Sequence, residues 1–325
     1  MLIDGEASQH ATQLLSGLAV LAGQGRVELT VRDEPPLPEP APSSRLTRRR
    51  SAVRAIVNGV RVVFDLDDSR EFDPDLDEWA DVVFKRMVDK EALSDTVHTF
   101  GLNYPVAVRS SDSPNDWRAP LSLASIEELR RSRIAAPAEW LTGPVVFVTR
   151  LWPAHEGRTF EDREWRRRMC EFRIDLAGLL KSRLGERAVV GIAEDEFSST
   201  CCPPELLLGT DQTRKSAYFG LAARAAVVVC SLGLHRSIGW RMGEAVMLGV
   251  PVVAETGDAA LPESMTPHRQ FVPFGTAAEC ADVAAALAGD SGRLKEIHQQ
   301  QIDYYNAWLR PEVLVSNLIS RAIDA

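Results

Sequence analysis

The clearest pattern in the chain is a change of rhythm near residue 143. Beyond it, short unbroken apolar runs alternate with longer stretches of helical spacing. The runs 144–149 (PVVFVT), 188–193 (AVVGIA), 226–230 (AVVVC) and 250–254 (VPVVA) predict strands. The segments between them predict helices over 161–184, 212–225 and 238–248, with two more over 276–289 and 292–323. Strands that are apolar on both sides and separated by helices belong to a parallel sheet covered on both faces. Such sheets bind ligands at the carboxyl ends of their strands.

The first half is less regular. Residues 1–5 read as a strand ending in a glycine turn, and 8–22 as a helix with Leu14, Leu15, Leu18 and Leu21 on one side. Residues 26–31 alternate polar and apolar, as a half-buried strand does. The proline-rich segment 33–49 reads as an exposed loop, because proline suits neither a helix interior nor an inner strand. Arg48, Arg49 and Arg50 behind it read as a solvated charge run. The apolar runs 52–57 and 61–66 flank Asn58-Gly59, which predicts a tight hairpin. Further strands are expected at 81–84 and 96–100, then a linker over 109–125, rich in Ser, Asp, Asn and Pro.

Composition narrows the functional classes. At 325 residues, with 45% hydrophobic and 26% charged positions, the chain suits a globular protein of two domains. A net charge of -9 argues against non-specific binding to nucleic acid or anionic membranes. The five cysteines (Cys170, Cys201, Cys202, Cys230 and Cys280) fit no zinc spacing, and their odd number argues against a disulfide framework. Neither a signal peptide nor a membrane-spanning stretch is legible. The expectation is a cytoplasmic protein with reduced thiols.

The most informative stretch is 230–255 (CSLGLHRSIGWRMGEAVMLGVPVVAE). A buried strand ends at Cys230, a glycine-containing loop follows, and a helix starts near Ile238. His235, Arg236 and Ser237 are thereby expected at a strand's carboxyl end and a helix N-terminus. Unpaired backbone N–H groups there carry partial positive charge and suit a diphosphate. Arg236 would add a fork of donors. Glu244, two turns along the helix, could accept hydrogen bonds from a ribose diol. The competing reading is structural: Gly233 and Gly239 shape the loop, and Glu244 is an ordinary helix residue.

This segment resembles the donor-binding region of retaining glycosyltransferases of the GT-B fold. Gly239, Glu244-Ala245 and the Gly-Val-Pro-Val-Val run at 249–253 match that family's pattern, while Arg236 stands where the family has the first of two glutamates. Residues 144–157 resemble the opening of the family's C-terminal domain. Arg150 matches its arginine, Thr149 replaces its glycine, and His155 falls where a lysine is expected. Residues 80–103 resemble the close of the N-terminal domain. The likeness spans roughly residues 80–325 and is specific at 226–254. It implies an α/β protein of two Rossmann-like doubly wound domains facing a cleft. The implied boundaries are an acceptor-side domain at 1–125, a nucleotide-sugar-binding domain at 126–300, and a closing helix at 301–325 that crosses back. It also implies metal-independent transfer of a sugar, with retention, from a nucleotide-diphosphate sugar to an acceptor hydroxyl. No separate cofactor is expected, and the partners are the donor and a small-molecule or glycan acceptor. In that scheme Arg236, Arg150 and Asp67 serve catalysis, and His235, Ser237, Ile238, Gly239 and Glu244 hold the donor.

Other residues carry two readings each. Asp65, Asp67 and Asp68 close a predicted strand, as acceptor contacts or as an acid-rich turn; the turn is the plainer reading. A metal-binding reading of Asp65-Leu66-Asp67 belongs to a different architecture. Lys85 and Arg86 follow a strand and would meet acceptor or phosphate, or remain a solvated pair. His98 reads as a structural histidine, and Arg163, Arg166, Arg167 and Arg168 as a solvated helix face. Cys201-Cys202 offers no metal geometry. Dinucleotide, P-loop and serine-hydrolase signatures are absent. The rival function is a catalytically silent or non-glycosyl-transferring protein that keeps the fold for binding.

Overall fold

The computed structural model describes residues 8–30, 51–109 and 120–325. The expectations for 1–5, 33–49 and the arginines 48–50 lie outside the described residues.

The second half contains six strands: β7 (Val145–Thr149), β8 (Ala188–Ala193), β9 (Leu207–Leu208), β10 (Val227–Cys230), β11 (Val252–Glu255) and β12 (Phe271–Phe274). They form one sheet in the order β12-β11-β10-β7-β8-β9, and every neighbouring pair is parallel. This is the doubly wound order of the Rossmann fold, with its reversal between β7 and β10. Strand side chains divide into two cores by alternation. Val146, Val148, Val228 and Val252 face helices Leu123–Ala135, Lys215–Arg224 and Trp240–Leu248. Val145, Phe147, Val227 and Val253 face helices Phe160–Leu184 and Ala277–Gly289. Burial on both faces explains why the strands read as continuous apolar runs rather than alternating ones.

The first half builds a smaller sheet from β1 (Ala52–Val57), β2 (Val60–Asp65), β3 (Val82–Lys85) and β4 (Val97–Thr99), in that order. β1 and β2 form the expected antiparallel hairpin, turning through Asn58 and Gly59 at φ 49° and 94°. β2, β3 and β4 are parallel. Val62, Phe64 and Phe84 on one face pack against Leu14, Leu18 and Leu21 of helix Thr12–Gly23 and Leu314, Val315 and Leu318 of helix Pro311–Asp324. The last helix of the chain thus covers the first sheet. The α/β expectation is met in both halves.

Three expected elements differ. Residues 26–30 are not a strand: the Arg26 N–H folds back onto the Leu21 carbonyl at 2.9 Å, and Leu29 is exposed. The expected linker over 109–125 already holds structure at its end. A short two-stranded pair joins β5 (Val106–Ala107) to β6 (Leu121–Ser122), and Ser122 then caps helix Leu123–Ala135 by accepting the Ser125 N–H at 3.0 Å. The single helix over 292–323 is broken into Ser291–Tyr304, a π-turn at Tyr305–Leu309, and Pro311–Asp324. Pro311 is the cause: it holds Arg310 in an extended conformation and opens the final helix.

The two sheets are stitched directly. A β-bridge joins Asp89 to Ala259, the Ala260 N–H donates to the Val88 carbonyl at 2.8 Å, and Arg86 Nη2 donates to the Ile238 carbonyl at 2.7 Å. Gly243 passes so close to the Asn103 carbonyl that a Cβ would sit 2.6 Å from it. No helix among the described residues is long and apolar enough to cross a membrane. All five cysteines are free thiols.

Candidate active site

The crevice of a doubly wound sheet opens where the strand order reverses, here between the carboxyl ends of β7 and β10. Residues 231–239 follow β10 and form a tight loop. Gly233 N–H donates to the Ser237 carbonyl at 2.8 Å, and Ser237 N–H to the Leu234 carbonyl at 3.0 Å. His235 and Arg236 occupy left-handed conformations, φ 55° and 58°, uncommon for residues bearing a Cβ. Buried Arg173 fastens the loop from beneath. Its guanidinium donates to Ser231 Oγ at 3.0 Å, the Leu232 carbonyl at 2.7 Å and the Arg150 carbonyl at 2.6 Å. One side chain therefore ties the chain leaving β7 to the chain leaving β10. Burial brings the Arg173 guanidinium down to about 10, against the raising influence of Cys170 and Glu255. The Leu232 N–H donates to Glu255 Oε2 at 2.8 Å, adding the end of β11 to the same frame.

In front of this loop runs a groove of 1030 Å³. Asp67, Ser69, Arg70 and Glu71, just past β2, form one wall; residues 158–162 and 164–168 with the His235-Arg236 pair form the other. The second wall begins at the N-terminus of the 25-residue helix Phe160–Leu184, where Thr159 Oγ1 accepts the Asp162 N–H at 3.0 Å. The positive end of that helix's dipole opens onto the groove. Its cations differ in availability. Arg166 is held by Asp162 at 3.2 Å and Glu156 at 3.3 Å, and Arg167 by Glu164 and Glu171 at 3.0 and 2.8 Å. Arg236 is half-exposed, lies 5.4 Å from the Trp165 ring centre, and meets Asp258 only at 3.6 Å. Of these three arginines it has the longest ion pair. Trp165 itself is fixed by donating its Nε1–H to the Gly233 carbonyl at 2.9 Å.

The structure therefore brings Asp67, His235 and Arg236 to one groove, from opposite halves of the chain. It disposes of the other expected residues differently. Arg150 follows β7, half-buried, with its carbonyl taken by Arg173, and does not line the groove. Ser237 is buried and serves the loop's backbone bonds. Ile238 contributes its carbonyl to Arg86, and Gly239 begins the helix Trp240–Leu248 as its N-cap.

Glu244 requires a correction. It is 2% exposed, and its carboxylate accepts from Lys215 Nζ at 2.8 Å and Arg241 Nη1 at 3.1 Å. Burial pushes its carboxyl up, but the two cations outweigh this and hold it below the ordinary carboxylate range. Each oxygen already accepts one bond inside the protein, and burial leaves the carboxylate little access to a ribose diol in this arrangement.

Lys85 is likewise a buried structural residue rather than a phosphate contact. It is fully covered, paired with Asp65 Oδ2 at 2.5 Å, and lies 5.2 Å from the Phe72 ring. Arg86 is buried between Asp68, its ion-pair partner, and the Ile238 carbonyl. Burial lowers the Arg86 guanidinium to about 10, with Asp67 pulling the other way. The acid-rich turn is a backbone device. Asp65 Oδ1 accepts the Asp67 N–H at 3.2 Å, and Asp67 Oδ1 accepts the Ser69 N–H at 2.7 Å.

Arg70, Arg158, Trp165 and Arg168 line the groove without having been singled out as site residues. One signal was present: Thr159 with Asp162 three residues on marks a helix start, which places Arg158 at its positive end.

No family model and no curated protein matches the sequence. Among solved structures the chain is similar to Anabaena HepE in complex with UDP and glucose, at 12% identity, TM-score 0.42, over 77% of this chain and 65% of that one. It is similar also to sucrose-phosphate synthase from Thermosynechococcus elongatus, at 11% identity, TM-score 0.37, over 60% and 48%. A third is the wall teichoic acid polymerase TagF, at 10% identity, TM-score 0.34, over 62% and 49%. The chain spans from about half to just under two-thirds of the length of these proteins. At such TM-scores the likeness carries no argument, and the functional reading rests on the geometry above.

Proposed function

We propose that this chain is a GT-B-type glycosyltransferase that moves a sugar from a nucleotide-diphosphate sugar to an acceptor hydroxyl, with retention and without a divalent metal, in the cytoplasm. One observation carries the reading. A groove with a loosely held arginine and a helix N-terminus lies at the reversal point of a Rossmann-ordered sheet, facing a carboxylate from the other half of the chain.

In this scheme the donor diphosphate lies against Arg236, His235 and the start of helix Phe160–Leu184, where positive charge is greatest. Asp67 on the opposite wall meets the acceptor hydroxyl. Lodging both substrates in one cleft aligns the acceptor oxygen with the anomeric carbon and excludes water. As the bond to the sugar breaks, negative charge grows on the diphosphate, and Arg236 stabilises it. No step requires a cofactor beyond the donor.

A second reading is favoured by Glu244 and Arg236. With the helix glutamate satisfied internally and an arginine where a carboxylate is expected, the chain would bind nucleotide sugar without transferring it. Incubating the purified protein with a panel of nucleotide sugars and following nucleotide release separates the two. Release that falls about 10²- to 10³-fold in Arg236→Ala supports transfer. Saturable binding with no release supports the silent reading, and neither binding nor release overturns both.

A further inference from the structure

The loop after β10 has a second side. Behind it lies a second cavity of 200 Å³, which shares only Arg236 with the lining of the groove. Its inner wall is apolar, formed by Ile238, Met242, Ala254, Leu261 and Phe271. Met242, Ala254 and Phe271 are buried. The Cys230 thiol completes this wall; burial pushes it up to about 12, so it stays neutral and behaves as a small hydrophobe.

The outer rim is different. Lys90 and Arg236 both line the cavity and both are exposed. Lys90 makes no ion pair with a described residue, whereas Arg236 has Asp258 at 3.6 Å. Two carboxylates lie nearby, and both are engaged. Asp258 is shared between Arg236 and Arg70, and Glu255 accepts the Leu232 N–H, with burial pushing its carboxyl up. The rim thus keeps one cation, Lys90, without a counter-charge.

Size and charge together define an occupant. A dry apolar cavity of about 150 Å³ holds benzene, so this one takes about six to eight carbons. A single uncompensated ammonium at the mouth suits a single negative charge. We infer that the cavity is a binding site for a medium-chain carboxylate, its hydrocarbon against Met242, Ala254 and Phe271 and its carboxylate at Lys90 and Arg236. The site shares Arg236 with the sugar-transfer reading but involves no nucleotide.

Calorimetric titration of the whole protein with octanoate and with octylamine tests it. Octanoate should saturate one site, and octylamine, with the same chain and opposite charge, should bind at least about fivefold more weakly. Lys90→Glu should reverse that preference, and because Lys90 is exposed the variant should fold. Ala254→Leu, which fills the cavity, should abolish binding of both. Failure of octanoate to saturate, equal binding of the two probes, or octanoate binding untouched by Lys90→Glu would overturn the assignment.

Discussion

Two ionisable residues, Glu244 and His10, each make stability fall toward acid pH. Glu244 lies between Lys215 and Arg241, and its folded carboxyl is held below the ordinary value of 4.5. Its contribution is therefore complete above pH 4.5 and is lost as pH falls through the folded value. Glu244→Ala leaves two cations over-supplied in the interior and should cost about 3–5 kcal/mol in urea unfolding at pH 7. His10 acts at higher pH. Its ring lies 5.0 Å from that of Trp240, and burial, reinforced by Arg86, brings its imidazole from 6.5 to about 3. The unfolded chain binds this proton below pH 6.5 and the folded chain does not, so stability falls as pH drops from 6.5 toward 3. The slope is about 1.4 kcal/mol per pH unit for one proton. Urea midpoints at pH 7.5 and pH 4.5 should differ less in His10→Phe than in the parent; an unchanged difference would show that His10 titrates normally.

At the scale of elements, helix Leu123–Ala135 does work that its sequence conceals. It is rich in charge and lacks a clear apolar stripe, so no helix was expected there. Its two buried arginines terminate other helices. Arg133 donates to the carbonyls of Ala223 and Ala225 at 2.8 Å and to that of Gly249 at 3.2 Å. Arg130 donates to the Met247 carbonyl. These carbonyls lie at the C-termini of helices Lys215–Arg224 and Trp240–Leu248, where intrahelical partners run out and cations are favoured; that of Gly249 also pairs with His298 Nδ1 at 2.6 Å. Burial lowers the Arg133 guanidinium to about 9. Arg133→Met should therefore destabilise by about 1–3 kcal/mol, read as a lowered thermal midpoint. Gly243→Ala tests the next contact, since its new Cβ must displace the Asn103 carbonyl at 2.6 Å. A loss of about 1–3 kcal/mol is expected. The parallel strands were legible because continuous apolar runs report double-sided burial. The Asn58-Gly59 hairpin was legible because the turn demands positive φ. What escaped were contacts made by charge, since an arginine that caps a distant helix looks in sequence like one that faces water.

The same limit applies to the whole molecule. The loop 231–239 was placed correctly because a strand, a glycine and a helix start are local signals. The internal pairing of Glu244 and Lys85 was not legible, because their partners Lys215 and Asp65 are 29 and 20 residues away. The groove itself depends on bringing Asp67 to His235 and Arg236, which only the packing of one sheet on the other accomplishes. That packing rests on the Asp89–Ala259 bridge, the Arg86–Ile238 bond and the final helix lying across the first sheet. The most direct test of the account is nucleotide release from a panel of nucleotide sugars by the parent protein and by Arg236→Ala. The account predicts release by the parent with at least one donor, reduced about 10²- to 10³-fold in the variant at unchanged thermal midpoint. Equal release by both proteins would contradict it.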